Sequence, residues 1–200
     1  PNFDYGMALG VAKTFRKAYV RKLTESVEDL LDQEGQEDTI KALVEQVKTA
    51  VGEGPCLERD VELFDGKVAD LLTKEYDFAP ERAQHLVSTV RRRATKETDR
   101  ATYQAMEGFV HNLNTMHSRA GAQTPFSSIN YGTDTSPEGR MVIRNILLAT
   151  DAGLGHGETC IFPIHIFKVK EGVNYNEGDP NYDLFKLSCK VSAKRLFPNY

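Results

Sequence analysis

The chain has 200 residues, with 25 Lys and Arg against 29 Asp and Glu and a formal net charge of −4 at pH 7. Its cations are dispersed, the densest run being Arg91-Arg92-Arg93 with Lys96 and Arg100, so the footprint of a nucleic-acid-polymer binder is missing. No apolar run approaches the ~20 residues of a membrane span and no signal peptide is evident, so a cytoplasmic chain without a membrane partner is expected.

From residue 3 to about 31, Met7, Val11, Phe15, Tyr19 and Leu23 recur at steps of four, the pattern of an amphipathic helix. The polar run around Gly35 interrupts it. A second helix is expected over 37–51, with Ile40, Leu43, Val44 and Val47 inward, closed by Gly52, Gly54 and Pro55. A third spans about 57–76 despite Gly66, and a fourth opens at Pro80 and runs to Arg93. A further long helix covers 96–116, with Tyr103, Met106, Val110, Leu113 and Met116 on one face.

Gly121 stops that pattern and Pro125 disfavours helix at Thr124. Phe126, Ile129 and Tyr131 then suit a strand over 126–131, closed by Gly132. Ser136-Pro137-Glu138 carries an N-cap hydroxyl, a first-turn proline and a carboxylate at the positive helix end. Val142, Ile143, Ile146 and Leu147 stripe that helix before Gly153, Gly155 and Gly157 end it. The β-branched run 160–169 reads as a strand buried on both faces. Asp179-Pro180 reads as another helix start, with Leu184, Leu187, Val191 and Leu196 inward. Strand, helix, strand, helix at this spacing predicts a βαβα unit with parallel strands, and ligands of such sheets sit beyond the carboxyl ends of the strands.

Cys56, Cys160 and Cys189 are odd in number and widely spaced, which argues against a disulfide framework and a zinc site. His111 and His117 lie six apart on one helix and share no face, and His85, His156 and His165 have no carboxylate at ligand spacing, so no metal is expected.

Three ordered motifs carry a family resemblance. They are His-Ser-Arg-Ala-Gly-Ala-Gln-Thr-Pro-Phe-Ser-Ser-Ile-Asn-Tyr-Gly-Thr-Asp-Thr-Ser from His117 to Ser136, Ile161-Phe162-Pro163-Ile164, and Lys170-Glu171-Gly172-Val173-Asn174-Tyr175 continuing through Asp179-Pro180-Asn181-Tyr182-Asp183-Leu184-Phe185. Together they resemble the anaerobic, glycyl-radical (class III) ribonucleoside-triphosphate reductases, densely from about residue 101 and more loosely before it, where Phe3-Asp4-Tyr5-Gly6 also fits. The resemblance implies an α/β fold in which a helical portion, 1–118, precedes a partial ten-stranded α/β barrel, 119–200. It also implies a much longer parent chain. With Pro1-Asn2 at one end and Phe197-Pro198-Asn199-Tyr200 at the other, an internal fragment is expected.

By the same resemblance, Ser127, Ser128, Asn130 and Thr133 contact a ribonucleoside triphosphate substrate. The Gly132 to Ser136 turn, at a helix N-terminus, is the natural place for phosphate. Asp4, Lys96, Arg100 and Gln104 fall in segments matching the specificity site, where dNTP or ATP effectors bind at a homodimer interface. Arg119 and Gln123 sit in the turn that would couple the two sites. The chemistry implied is a glycyl radical that generates a cysteine thiyl, with formate as reductant, after activation by a radical-SAM partner. None of the three cysteines has family-like surroundings, so no catalytic residue is expected here, and the glycyl segment and a zinc site are expected elsewhere in the parent protein. The competing readings are a non-catalytic nucleotide-binding regulatory or dimerisation module, and a different glycyl-radical enzyme, which the polar strand at Ser127 disfavours.

Overall fold

The computed structural model describes residues 2–58, 61–116 and 124–200. Its elements are α1 (Phe3–Leu31), α2 (Glu37–Val51), α3 (Val61–Tyr76), α4 (Pro80–Thr115), β1 (Ser128–Tyr131), α5 (Pro137–Ala152), β2 (Ile164–Phe167) and α6 (Tyr182–Arg195). The chain divides into two compact units, one of Ala12–Thr98 and one of Pro1–Val11 with Asp99–Tyr200. The expected division at residue 118 follows secondary-structure content; the compact units divide the chain differently.

The Ala12–Thr98 unit is helical. Phe15, Tyr19, Leu23 and Val27 of α1 are fully or nearly fully buried, as are Ile40, Leu43 and Val47 of α2, Phe64, Val68 and Leu72 of α3, and Ala83, Val87 and Val90 of α4. Among the described residues, one largely buried charged pair lies against this apolar interior. Arg91 donates from Nε to Asp65 Oδ2 at 2.5 Å and from Nη2 to Oδ1 at 2.8 Å, while Tyr19 donates to the same Oδ1 at 3.0 Å. The guanidinium also donates to the carbonyls of Cys56 and Leu57 and lies over the rings of Phe15 and Tyr19. Burial is the main reason that the Tyr19 hydroxyl is held well above its usual pKa, followed by the charge of Asp65.

The second unit contains a parallel pair, with Ser128 opposite Ile164, Ile129 opposite His165, Asn130 opposite Ile166 and Tyr131 opposite Phe167. The expected strand–helix–strand–helix order is present. Its strands are shorter than expected, since 126–131 contracts to Ser128–Tyr131 and 160–169 to Ile164–Phe167. Pro163, immediately before β2, has no N–H for the ladder. Nor is β2 buried on both faces. His165 and Phe167 are buried while Ile164 and Ile166 are half-buried, an alternation that leaves Ser128, Asn130, Ile164 and Ile166 on the open face. The packed face continues through aromatic rings, Tyr131 to Phe167 at 5.7 Å, Phe167 to Phe185 at 6.1 Å and Phe185 to Tyr200 at 6.0 Å.

Three helix boundaries also differ from expectation, the first being that of α3, which begins at Val61 and not near residue 57. The segments 80–93 and 96–116 are one 36-residue helix, α4, because nothing between Arg93 and Lys96 is a glycine or proline. Met106 and Val110 of its stripe are buried, whereas Met116 is exposed. Helix α6 begins at Tyr182, not at Asp179-Pro180; Asp179 instead accepts from Asn176 N in a turn at 2.8 Å, and Leu196 lies outside the interior at 82% exposure. At α5 the expected cap is present, with Ser136 Oγ accepting from Gly139 N at 3.0 Å and Gly153 following the last turn.

Candidate functional site at the carboxyl ends of the strands

Both strands end on backbone that leaves polar groups to be satisfied, and three buried side chains do this. Asp4, fully buried, accepts at Oδ2 from the N–H groups of Gly132, Thr133 and Asp134 at 2.9, 3.1 and 3.0 Å. Asn174 donates to the carbonyls of Gly132 and Lys168, both at 2.9 Å, which ties the end of β1 to the end of β2. Asn181 donates to the carbonyls of Gly132 and Asp134 at 3.2 and 2.8 Å, and its own Oδ1 accepts from Arg140 at 2.8 Å. Asn174 and Asn181 are both fully buried. An unpaired buried donor or acceptor costs about 1–3 kcal/mol, so these three residues set the shape of the mouth.

Gly132 is required where the chain turns. Its φ is +119°, and a Cβ there would stand 3.1 Å from Lys168 O and 3.2 Å from the Phe167 ring. Gly139, in the first turn of α5, lies so close to Asp134 that an added Cβ would overlap its carboxylate.

Around this frame stand half-buried Asn2 and Thr133 and exposed Tyr5 and Lys168. Asn2 Nδ2 donates to Thr133 Oγ1 at 2.9 Å, and its Oδ1 accepts from Lys168 Nζ at 2.9 Å. Tyr5 donates its hydroxyl to Thr133 O at 3.1 Å. Behind the mouth, His165 is fully buried between Tyr131 and Thr150. Thr150 gives its proton to Ile146 O at 2.7 Å, so its oxygen accepts from His165 Nε2–H, which leaves Nδ1 to accept from the Tyr131 hydroxyl at 3.1 Å. Desolvation lowers the His165 pKa to about 4, so the ring is neutral at physiological pH.

The expected substrate residues divide by strand alternation. Ser128 is exposed and Asn130 half-buried on the open face, while Ser127 is half-buried with its hydroxyl donated to Pro125 O at 3.3 Å. Thr133 stands at the mouth itself. The turn expected to offer its N–H groups to phosphate gives those of Gly132, Thr133 and Asp134 to Asp4, and that of Ser136 to Asp134 Oδ1 at 2.8 Å; an internal carboxylate occupies the anion position at residues 132–134. Asp4 is therefore committed to the turn, its Oδ1 accepting from Tyr5 N at 3.1 Å. Lys96, Arg100 and Gln104 lie exposed at steps of four along α4. Arg119 and Gln123 lie outside the described residues.

Asn174 and Asn181 were visible in the 170–185 motif, but no spacing rule gives them a role, because their partners are carbonyls about 50 residues away or less in sequence and on other loops. Asn114 was missed in the same way. It holds the segment before β2 by accepting from Ile161 N at 2.8 Å and Phe162 N at 3.1 Å and donating to Phe162 O at 2.6 Å. Cys56 and Cys160 are buried and Cys189 exposed; burial pushes the Cys160 thiol up, away from thiolate character. Among the described residues no group of three His, Cys, Asp or Glu could hold a metal ion.

A parallel strand–helix–strand–helix unit with its polar groups gathered at the strand carboxyl ends is an α/β domain of the kind that binds ligands there. The model of the anaerobic ribonucleoside-triphosphate reductase family matches residues 1–200, and the chain belongs to that family. The anaerobic ribonucleoside-triphosphate reductase of Escherichia coli K12 is 36% identical over 107 residues, which is 53% of this chain and 15% of that protein. The enzyme of the same name from Enterobacteria phage T4 is 39% identical over 107 residues, 53% of this chain and 18% of the phage protein. The chain thus corresponds to a small part of the length of these relatives.

Proposed function

We propose that this stretch belongs to an oxygen-sensitive reductase that converts ribonucleoside triphosphates to deoxyribonucleoside triphosphates by glycyl and thiyl radical chemistry. Within it, β1 and β2 are two adjacent strands of the ten-stranded catalytic barrel, with Ser127, Ser128, Asn130 and Thr133 on the substrate side. Helix α4 faces a second copy, and Lys96, Arg100 and Gln104 meet a dNTP or ATP effector there. Asp4 contributes by fixing the turn rather than by direct contact. The radical glycine, the reacting cysteines and the zinc site are supplied by other parts of the full protein, and a radical-SAM enzyme activates it.

The observation that carries this reading is the direction in which the sheet grows. Asn199 forms a parallel bridge with Ile166, its carbonyl accepting from Phe167 N at 2.8 Å and its N–H donating to His165 O at 2.9 Å. Those groups lie on the edge of β2 opposite β1, since Ile164 N and Lys168 N are the ones that reach β1 carbonyls. After α6 the chain takes the third place in a parallel sheet whose order follows the sequence, as strands do in a closing barrel.

The test is anaerobic turnover of cytidine triphosphate by the full-length protein with its activating enzyme and formate. Formation of the deoxyribonucleotide supports the reading. Tight dNTP binding with no reduction would favour the regulatory module instead.

A further inference from the structure

The phosphate chain of a nucleotide at this mouth needs positive partners, and most of the usual source is already engaged. Backbone N–H groups beyond a strand and before a helix make the common phosphate cradle. Here those of residues 132–134 are held by Asp4, that of Ser136 by Asp134 and that of Gly139 by Ser136. With most of the turn's N–H groups engaged, side chains become the main remaining source of positive partners at the strand ends.

Two suitable donors stand there, oriented by one residue. Lys168 follows β2 directly and Thr133 is the second residue after β1. Asn2 bridges them, giving Nδ2–H to Thr133 Oγ1 and taking Lys168 Nζ–H on Oδ1, each at 2.9 Å. The bridge fixes the proton logic. Because Thr133 Oγ1 accepts from Asn2, its own O–H points away from Asn2 as a donor. Because Lys168 gives one N–H to a neutral amide and has no carboxylate within ion-pair distance among the described residues, its charge is uncompensated and two N–H groups remain. Lys168 is thus an exposed cation at the carboxyl end of β2, held in place by a neutral oxygen.

We infer that Lys168 and the Thr133 hydroxyl, positioned by Asn2, bind the phosphate chain of the nucleotide and set the preference for triphosphate over shorter chains. This rests on the function proposed above and adds the charge-reading residues to it. Lys168 touches the ligand; Asn2 is a positioning residue.

The experiment uses the full-length protein, activated anaerobically, with cytidine triphosphate and cytidine diphosphate as probes and a saturating dNTP in the effector sites. Calorimetric binding of each probe to the unactivated protein gives a readout apart from turnover. Lys168→Gln is expected to weaken cytidine triphosphate by about tenfold, the size of one charge-assisted contact, with a smaller loss for the diphosphate and none for cytidine. The KM for the triphosphate rises in step while kcat is retained. Asn2→Ala and Thr133→Val give intermediate losses, and Lys168→Arg restores most of the affinity. If wild type reduces the triphosphate and Lys168→Gln leaves the triphosphate-to-diphosphate ratio unchanged, this inference is overturned and the proposed function stands. If wild type neither binds nor reduces cytidine triphosphate, the proposed function falls first.

Discussion

The two units solve the same problem, a polar group inside a protein, in opposite ways. In the Ala12–Thr98 unit, among the described residues, one largely buried ion pair, Asp65 with Arg91, is set among helices whose inward residues are mostly apolar. In the unit that carries the strands, the buried polar residues are many and their partners are mostly backbone, with Asp4 serving three N–H groups and Asn174 and Asn181 four donations to carbonyls. The first arrangement fixes how helices meet. The second fixes the course of loops that no secondary structure would otherwise hold, which is what a binding mouth requires.

The comparison breaks most clearly at Arg91. Arg91→Met leaves the Asp65 carboxylate enclosed and uncompensated, a loss expected at about 3–5 kcal/mol. Hydrogen exchange of the full-length protein should show it as faster exchange through residues 12–98, with amides 132–134 protected as before. Slowed or unchanged exchange in 12–98 would mean that the pair is dispensable.

Asp4→Ala should do the reverse. Three donors, two of them buried, lose their acceptor, at a cost of about 3 kcal/mol after partial rehydration, and exchange should rise at 132–134. Asp4→Asn keeps an acceptor oxygen and should recover part of that loss. If Asn is as damaging as Ala, the negative charge and not the hydrogen-bond geometry holds the turn.

A smaller and pH-dependent effect belongs to His165. Its folded pKa of about 4 lies below the unfolded value near 6.5, so the unfolded chain binds the extra proton first and stability falls as pH drops through that window. Between pH 7 and pH 5 the expected loss is about 2 kcal/mol, seen as a shift in denaturant midpoint that His165→Gln abolishes. A midpoint that moves equally in the variant would place the acid sensitivity elsewhere.

Much of the frame was legible from residue order. Steps of four from Val11 to Leu23, the Ser136-Pro137 cap and the β-branched run before Phe167 each encode a local preference that the packing kept. The motifs around Ser127 and Asn174 pointed to the family that the comparisons show. What could not be read was the use of Asp4. Its position in an amphipathic helix and its charge suit an effector contact as well as a structural one, and the choice is made by backbone more than a hundred residues away. The same holds for Asn181, where a proline two places before the helix imitates a start signal while the asparagine is engaged across the mouth.

The separation of Asp4 from its donors, 128 to 130 residues, also has a consequence in time. During synthesis the opening helix emerges with a carboxylate whose receptors have not yet been made. Every residue of the Ala12–Thr98 unit is translated in that interval. The turn between the strands accordingly locks only after that interval, by recruiting a residue made more than a hundred positions before it.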